Sequence, residues 1–416
     1  MSALLYDHRD ALPQHHLRFF AGSAVVVQHP SFLAAFDQVV DDALGPSRGP
    51  ASRLRCAQQA SRPLLKRLVH RMLPTSPAQR LDIARQVFAA LGLGQLSLDV
   101  TPAGGRARVR HPFRLSLEPA TTGGPGRPWP LDAIAGGFAG AATEVAFDLP
   151  SGLIAVVPEA LGPEGSFRLD ARGTAMEVRT PHQAQIRELV PSSFGGLHED
   201  RIAERSIDAL ARIEGAAGDD RGDLRDRDQR LAFVPADYGH ALTHHLLATV
   251  TEEKPKALPA ARALLAEAGY THAFLGLGRA LAAGGTALAA GGRSPLEVLV
   301  DGLAVARAWG WGRWCVEVFV PEERLVLRSP GTPESLYVAC TVEGADRPQA
   351  HALEGAGVAL MDLAHRTEWT PTPNLDARTV TANRRAPTWT ATVTHSVAVG
   401  DPVDRVVVQR IDGASP

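Results

Sequence analysis

Residues 76–112 read SPAQRLDIARQVFAALGLGQLSLDVTPAGGRARVRHP, and residues 294–330 read SPLEVLVDGLAVARAWGWGRWCVEVFVPEERLVLRSP. The two stretches align without a gap at a constant offset of 218 positions (76 against 294). Ser76-Pro77 matches Ser294-Pro295, and Gly92-Leu93-Gly94 matches Gly310-Trp311-Gly312. Val100, Arg106, Arg110 and Pro112 match Val318, Arg324, Arg328 and Pro330. The offset returns further on, where Gly137, Ala141 and Ala146 meet Gly355, Ala359 and Ala364. Solenoid units recur every ~20–50 residues, so a period this long points to two copies of a whole domain.

Within each stretch the local chemistry is readable. A serine followed by proline is a helix start: the hydroxyl caps free amides and proline suits the first turn. The helix from Ser76 runs to Ala90, where Gly92 and Gly94 break it. Leu96, Leu98 and Val100 alternate as a strand, Gly104-Gly105 turns the chain, and Ala107 to Leu117 returns. Upstream, Ala24 to Val27 reads as a strand, and His29-Pro30-Ser31 opens a helix from Phe32 to Leu44. A further helix from Arg53 to Met72 is expected to break or kink at Pro63. A helix over Leu131 to Phe147 and strands at Ile154–Val157 and Ser166–Leu169 complete this copy.

The second copy repeats the order. A strand at Leu231–Val234 leads to a helix reaching about Val250, then a helix over Leu258–Ala282 and a third capped by Ser294-Pro295. The hairpin is Trp314–Val320 with Arg324–Arg328, the next helix Leu353–Ala364, and the closing strands Thr392–Ala398 and Val403–Gln409. The expected domains are therefore 1–170 and 230–412, the latter with an insertion at about 370–390. Residues 171–229 read as a connecting helix (Glu199 to Glu214) and a solvated linker of alternating acids and arginines.

Composition bounds the rest. The 416 residues are 45% hydrophobic and 21% charged, as in ordinary globular proteins. A net charge of −2 gives no field to attract phosphate backbones, which argues against nucleic acid as a partner. Cys56, Cys315 and Cys340 stand too far apart for a disulfide framework or a zinc ribbon. Asp7 to Asp10 come too early for a signal peptide, and Ala133 to Phe147 is too short to span a bilayer. A cytoplasmic location is expected. The cations are almost all arginine, in keeping with a GC-rich bacterial genome.

The order strand, helices, hairpin, helix, two strands resembles the 4-vinyl-reductase domain family, which shares its fold with haem nitric-oxide-binding and vesicle-tethering domains. The supporting residues are Val25 to Leu33 (VVVQHPSFL), the Gly-x-Gly before each hairpin, the glycines Gly136, Gly137 and Gly140, and the closing Ala160-x-Gly162 and Ala398-x-Gly400. The resemblance implies an α+β fold, two tandem copies of a helical layer on a small antiparallel sheet, packed as an internal pseudo-dimer. It also implies a small hydrophobic or aromatic ligand held between helices and sheet. Many members end in a zinc-binding Glu-x-x-Cys-x-Ala-x-Gly-x-x-x-Cys. Here those positions hold Ala155, Pro158 and Ser166 in one copy and Val393, Ser396 and Asp404 in the other, so no zinc is expected.

Several residue sets could carry chemistry. Five of the six tryptophans lie in the second copy. Trp309, Trp311, Trp314, Phe319, Trp369 and Trp389 offer flat surfaces for an aromatic ligand or fill a core. His240 and His244 share a helical face, His245 adjoins them, and His272 follows on the next helix; together they suit a metal, a haem edge or a ligand, or are satisfied core histidines. Asp362, His365 and Glu368 cluster near a helix end. Gly276-Leu277-Gly278 imitates a dinucleotide fingerprint but follows a helix where a strand is required. Arg106, Arg110, Arg324 and Arg328 could meet carboxylates such as tetrapyrrole propionates, or lie on solvated faces. The expected ligand-binding set is Trp309, Trp311, Trp314, Phe319, His240, His244, His272 and Trp369. The expected function is non-catalytic binding of a small hydrophobic, aromatic or tetrapyrrole-like molecule, for sensing or carriage. A protein scaffold and a factor of tetrapyrrole or aromatic metabolism are the alternatives.

Overall fold

The computed structural model describes residues 9–12, 17–113, 132–160, 164–175, 183–189, 194–215, 221–226, 229–283, 293–342, 345, 348, 350–369 and 373–412. The chain opens with β1 (Arg9–Leu12), β2 (Leu17–Phe20) and β3 (Ser23–Gln28). His29 then accepts the Ser31 amide and Pro30 takes the first turn of α1 (Pro30–Leu44). α2 (Arg48–Met72) follows. It is one continuous element through Pro63, where the sequence suggests a break; burial of Leu64, Leu65 and Leu68 outweighs the one lost hydrogen bond. Ser76 caps α3 (Pro77–Ala90) by accepting the Gln79 amide. The hairpin β4 (Gln95–Thr101) and β5 (Gly104–Arg110) comes next. β5 ends before Pro112 and does not run on to Leu117, and residues 114–131 lie outside the described set. α4 (Ala133–Ala146) is buried along its whole length, and β6 (Ala155–Ala160) and β7 (Gly165–Asp170) follow it.

The middle segment is not a solvated linker. α5 (Gln183–Leu189) buries Ile186 against Phe19, Leu336 and Val397. α6 (Glu199–Gly215) buries Ile202, Ala209 and Ile213. β8 (Leu224–Asp226) pairs with β9 (Gln229–Pro235), so the stretch of alternating acids and arginines holds a strand with Leu224 and Asp226 turned inward.

The second half continues with α7 (Ala236–Glu253), α8 (Leu258–His272), a π turn (Ala273–Leu277) and α9 (Gly278–Ala283). The expected single helix over 258–282 runs through this π turn, in which Gly276 packs on the Trp309 ring and a Cβ would come 3.1 Å from it. α10 (Pro295–Ala308) starts in a capping box of Ser294 with Glu297. Then come β10 (Cys315–Val320), β11 (Arg324–Ser329), α11 (Pro333–Thr341), α12 (His351–His365), α13 (Ala377–Arg385), β12 (Trp389–His395) and β13 (Asp404–Arg410).

The fold is α+β with three antiparallel sheets. One half contributes β4-β5-β7-β6 and the other β10-β11-β13-β12, the same order of hairpin and closing strands. The third sheet, β1-β2-β3-β9-β8, joins the halves through their opening strands. Val27 lies opposite Phe233 across that seam. Their outward amides are both satisfied from the far side: Val27 N donates to Trp309 O and Phe233 N to Leu91 O, each at 2.8 Å. Among the described residues no helix is long and apolar enough to cross a membrane.

Candidate functional site

The β3–β9 pairing carries α1 of the first half onto α8 of the second. Between them, α7 and α12 lies a cavity of about 100 Å³. Engineered cavities of roughly 150 Å³ hold benzene, so the scale suits one aromatic ring.

Each wall follows from helical spacing. α1 supplies Phe32, Leu33 and Phe36, and β3 supplies Val26 and Gln28. α7 supplies Ala236, Gly239, His240 and Thr243; α8 supplies Leu265, Gly269 and His272. Thr332, Pro333 and Glu334 at the start of α11, His351 to Leu353 and Ala356 on α12, and Trp311 close it. His272 lies between aromatic rings, with centroids 4.4 Å from Phe32 and 4.6 Å from Trp311. Neither nitrogen of His272 has a hydrogen-bond partner among the described residues. The same holds for Gln28 Oε1 and His240 Nε2. Both His351 nitrogens also lack a bond, although Nδ1 stands 3.6 Å from Glu354 Oε2. Buried polar atoms are nearly always paired, so the orphans on these lining residues make the cavity a candidate site.

Electrostatics sharpen this picture. Burial lowers His240 from 6.5 to about 3. Burial first, then the neighbouring His29, puts His272 well below its ordinary value. Both imidazoles are therefore neutral at physiological pH, each with one donor and one acceptor. Burial raises Glu334, partly offset by His351. Among the described residues, the lining holds no lysine, arginine, serine or cysteine.

Of the expected site residues, His240, His272 and Trp311 meet at the cavity. Trp309 backs it, edge-on to Trp311 at 5.8 Å and 1% exposed. Trp314 donates Nε1–H to Trp311 O and lines a smaller space of about 20 Å³ on the other side of Trp311. His244 does not line the cavity, because Thr243 is the last α7 residue to reach it. Its neighbour His245 meets Ser52 at 3.1 Å on the surface. Phe319 packs near His365, and Trp369 donates to Leu363 O beneath the Arg293 guanidinium; both are remote from the cavity. Among the described residues, no three His, Cys, Asp or Glu side chains gather as a metal site, so His240, His244 and His272 do not form one. Asp404, at the family's second cysteine position, accepts the amides of Thr332 (2.8 Å) and Val397 (2.9 Å) and the Ser335 hydroxyl.

Asp362 accepts the Tyr270 hydroxyl at 2.7 Å while His365 turns to Trp389, so they form no acid–base set. The hairpin arginines face outward: Arg106 meets Glu159 at 3.4 Å, Arg110 meets Glu164 at 3.9 Å, and Arg328 covers the Phe194 ring. Sequence reasoning missed Phe32, Phe36, Gln28, Glu334 and His351. Phe32 and Phe36 were visible as an apolar helical face.

The chain matches no family model, that of the 4-vinyl-reductase domain included, and no curated protein. Among solved structures it is similar to the phenol-responsive sensory domain of the transcription activator PoxR with phenol. The two share 14% identity at a TM-score of 0.36, over 50% of this chain and 90% of that one.

Proposed function

We propose that this chain is a non-catalytic binding protein, a sensor or carrier, for a small one-ring molecule that carries hydrogen-bonding groups. The carrying observation is the apolar cavity between α1, α7, α8 and α12, lined by Gln28, His240, His272 and His351, each of which carries a buried polar atom without a hydrogen bond. We further propose that the halves are two copies of one 4-vinyl-reductase-like domain, packed as an internal pseudo-dimer in which one copy keeps the ligand site. The matching strand orders and the reciprocal Val27–Trp309 and Phe233–Leu91 hydrogen bonds support this reading. At the 218-residue offset, Trp311 corresponds to Leu93 and His351 to Ala133, so the first half has an apolar counterpart to this wall.

The test fills the cavity. A Cβ on Gly239 meets nothing within 4 Å, and glycine costs about 1 kcal/mol in a helix relative to alanine, so Gly239→Phe narrows the space without straining α7. Calorimetric titration with benzyl alcohol, benzylamine and benzoate should show saturable binding of at least one, at least tenfold weaker in Gly239→Phe at unchanged melting temperature. Equal binding by the two proteins, or no binding of any of the three, would overturn the proposal.

A further inference from the structure

We propose that the ligand is a small aromatic amine bound as its ammonium ion, with Glu334 as the counter-ion that sets this preference. The inference rests on the cavity being a ligand site. Glu334 lines the cavity at 6% exposure, and among the described lining residues no lysine or arginine faces it. One role of its carboxyl is structural, since it accepts the backbone amide of His351 at the start of α12. Among the charged groups that act on it, His351 favours its ionised form and the acids Asp404 and Glu354 oppose it, so a bound cation would add to the first effect. Burial raises its pKa, so the ionised form is costly until a cation arrives.

The remaining lining fits the same ligand. A primary ammonium presents three N–H donors. Gln28 Oε1 is an acceptor without a partner, and each neutral imidazole of His240 and His272 offers one lone pair. The Phe32, Phe36 and Trp311 rings supply faces for an aromatic body and for the cation itself. An anion would meet a carboxylate and imidazoles that resist protonation. A neutral ligand would add nothing to the partial offset that His351 gives Glu334.

Benzylamine, benzyl alcohol and benzoate share a shape and differ in charge at pH 7.5. Calorimetry on the full chain should find benzylamine at least tenfold tighter than benzyl alcohol, with benzoate weakest. Glu334→Gln should erase the amine advantage, and an unchanged thermal unfolding transition shows that the variant is folded. Equal affinities for amine and alcohol in the native protein, or an amine advantage that survives Glu334→Gln, would overturn this inference while the cavity reading stands. Absence of binding by all three, or binding that Gly239→Phe leaves intact, would remove the cavity reading and this inference with it.

Discussion

His272 is buried between Phe32 and Trp311 with both ring nitrogens unpartnered, and His240 shares its cavity. Keeping such imidazoles neutral has a cost in acid. The unfolded chain takes up a proton on His240 near pH 6.5, whereas the folded chain resists until about 3. Its contribution to stability is therefore whole above pH 6.5 and is lost as the pH falls toward 3, at about 1.4 kcal/mol per unit. Glu144, which burial raises from 4.5 to about 7, works the other way and loses its contribution as pH rises through that window. A variant comparison isolates the histidine. Between pH 7 and pH 5, the unfolding free energy of the native protein should fall by about 1–2 kcal/mol more than that of His240→Leu; parallel curves in urea titrations would count against a neutral buried imidazole. At this scale the sequence was half legible. Histidines at helical spacing and a dense tryptophan set were visible, but spacing cannot say that Thr243 ends the α7 wall before His244. Nor could it show that Glu334 and His351 meet there, because their approach depends on Asp404 anchoring the start of α11 from β13.

Two glycines set the helix crossings. A Cβ on Gly355 of α12 would sit 1.8 Å from Ala266 O and 2.4 Å from Tyr270 N on α8. On Gly137 of α4 it would come within 2.5 Å of Gln58 N on α2. Beside each crossing a buried acid is bound by the facing helix: Tyr270 donates to Asp362 and Gln58 to Glu144, both at 2.7 Å. Gly355→Ala should cost roughly 1–3 kcal/mol by overpacking and weaken ligand binding, because it pushes apart two cavity walls. Gly137→Ala should cost a similar amount and leave affinity unchanged; denaturant melts with calorimetry on both variants separate the two effects. Helices α3 and α10 with their serine caps, and both hairpins, were legible because each is marked by local chemistry. The π turn after His272 and the docking of α6 were not, since both answer to partners distant in sequence: Trp309 for the first, α10 for the second. Arg307, wholly buried on α10, bonds Glu199 of α6 at 2.7 Å, a pairing across 108 positions that helical spacing within α6 does not reveal.

For the molecule as a whole, the central sheet decides where the site lies. Pairing β3 with β9 places a helix of the first half over the ligand space of the second, so neither half encloses it alone. Phe32 is only partly buried, and Phe32→Ala should therefore cost little stability yet weaken binding at least tenfold in a cavity whose other walls come largely from the second half. The repeat in the sequence suggests two matching halves; that both contribute walls to one cavity is not written in it. The most direct test of that account is ¹⁹F NMR of the protein labelled with 5-fluorotryptophan, titrated with benzylamine. Assignment of the six resonances by single Trp→Phe variants identifies each ring. The Trp311 signal should shift in a saturable manner, with smaller changes at Trp309 and Trp314, while Trp369 and Trp389 stay fixed. Movement of Trp369 or Trp389 with Trp311 unmoved, or no movement at any ring, would contradict a ligand site at the junction of the two halves.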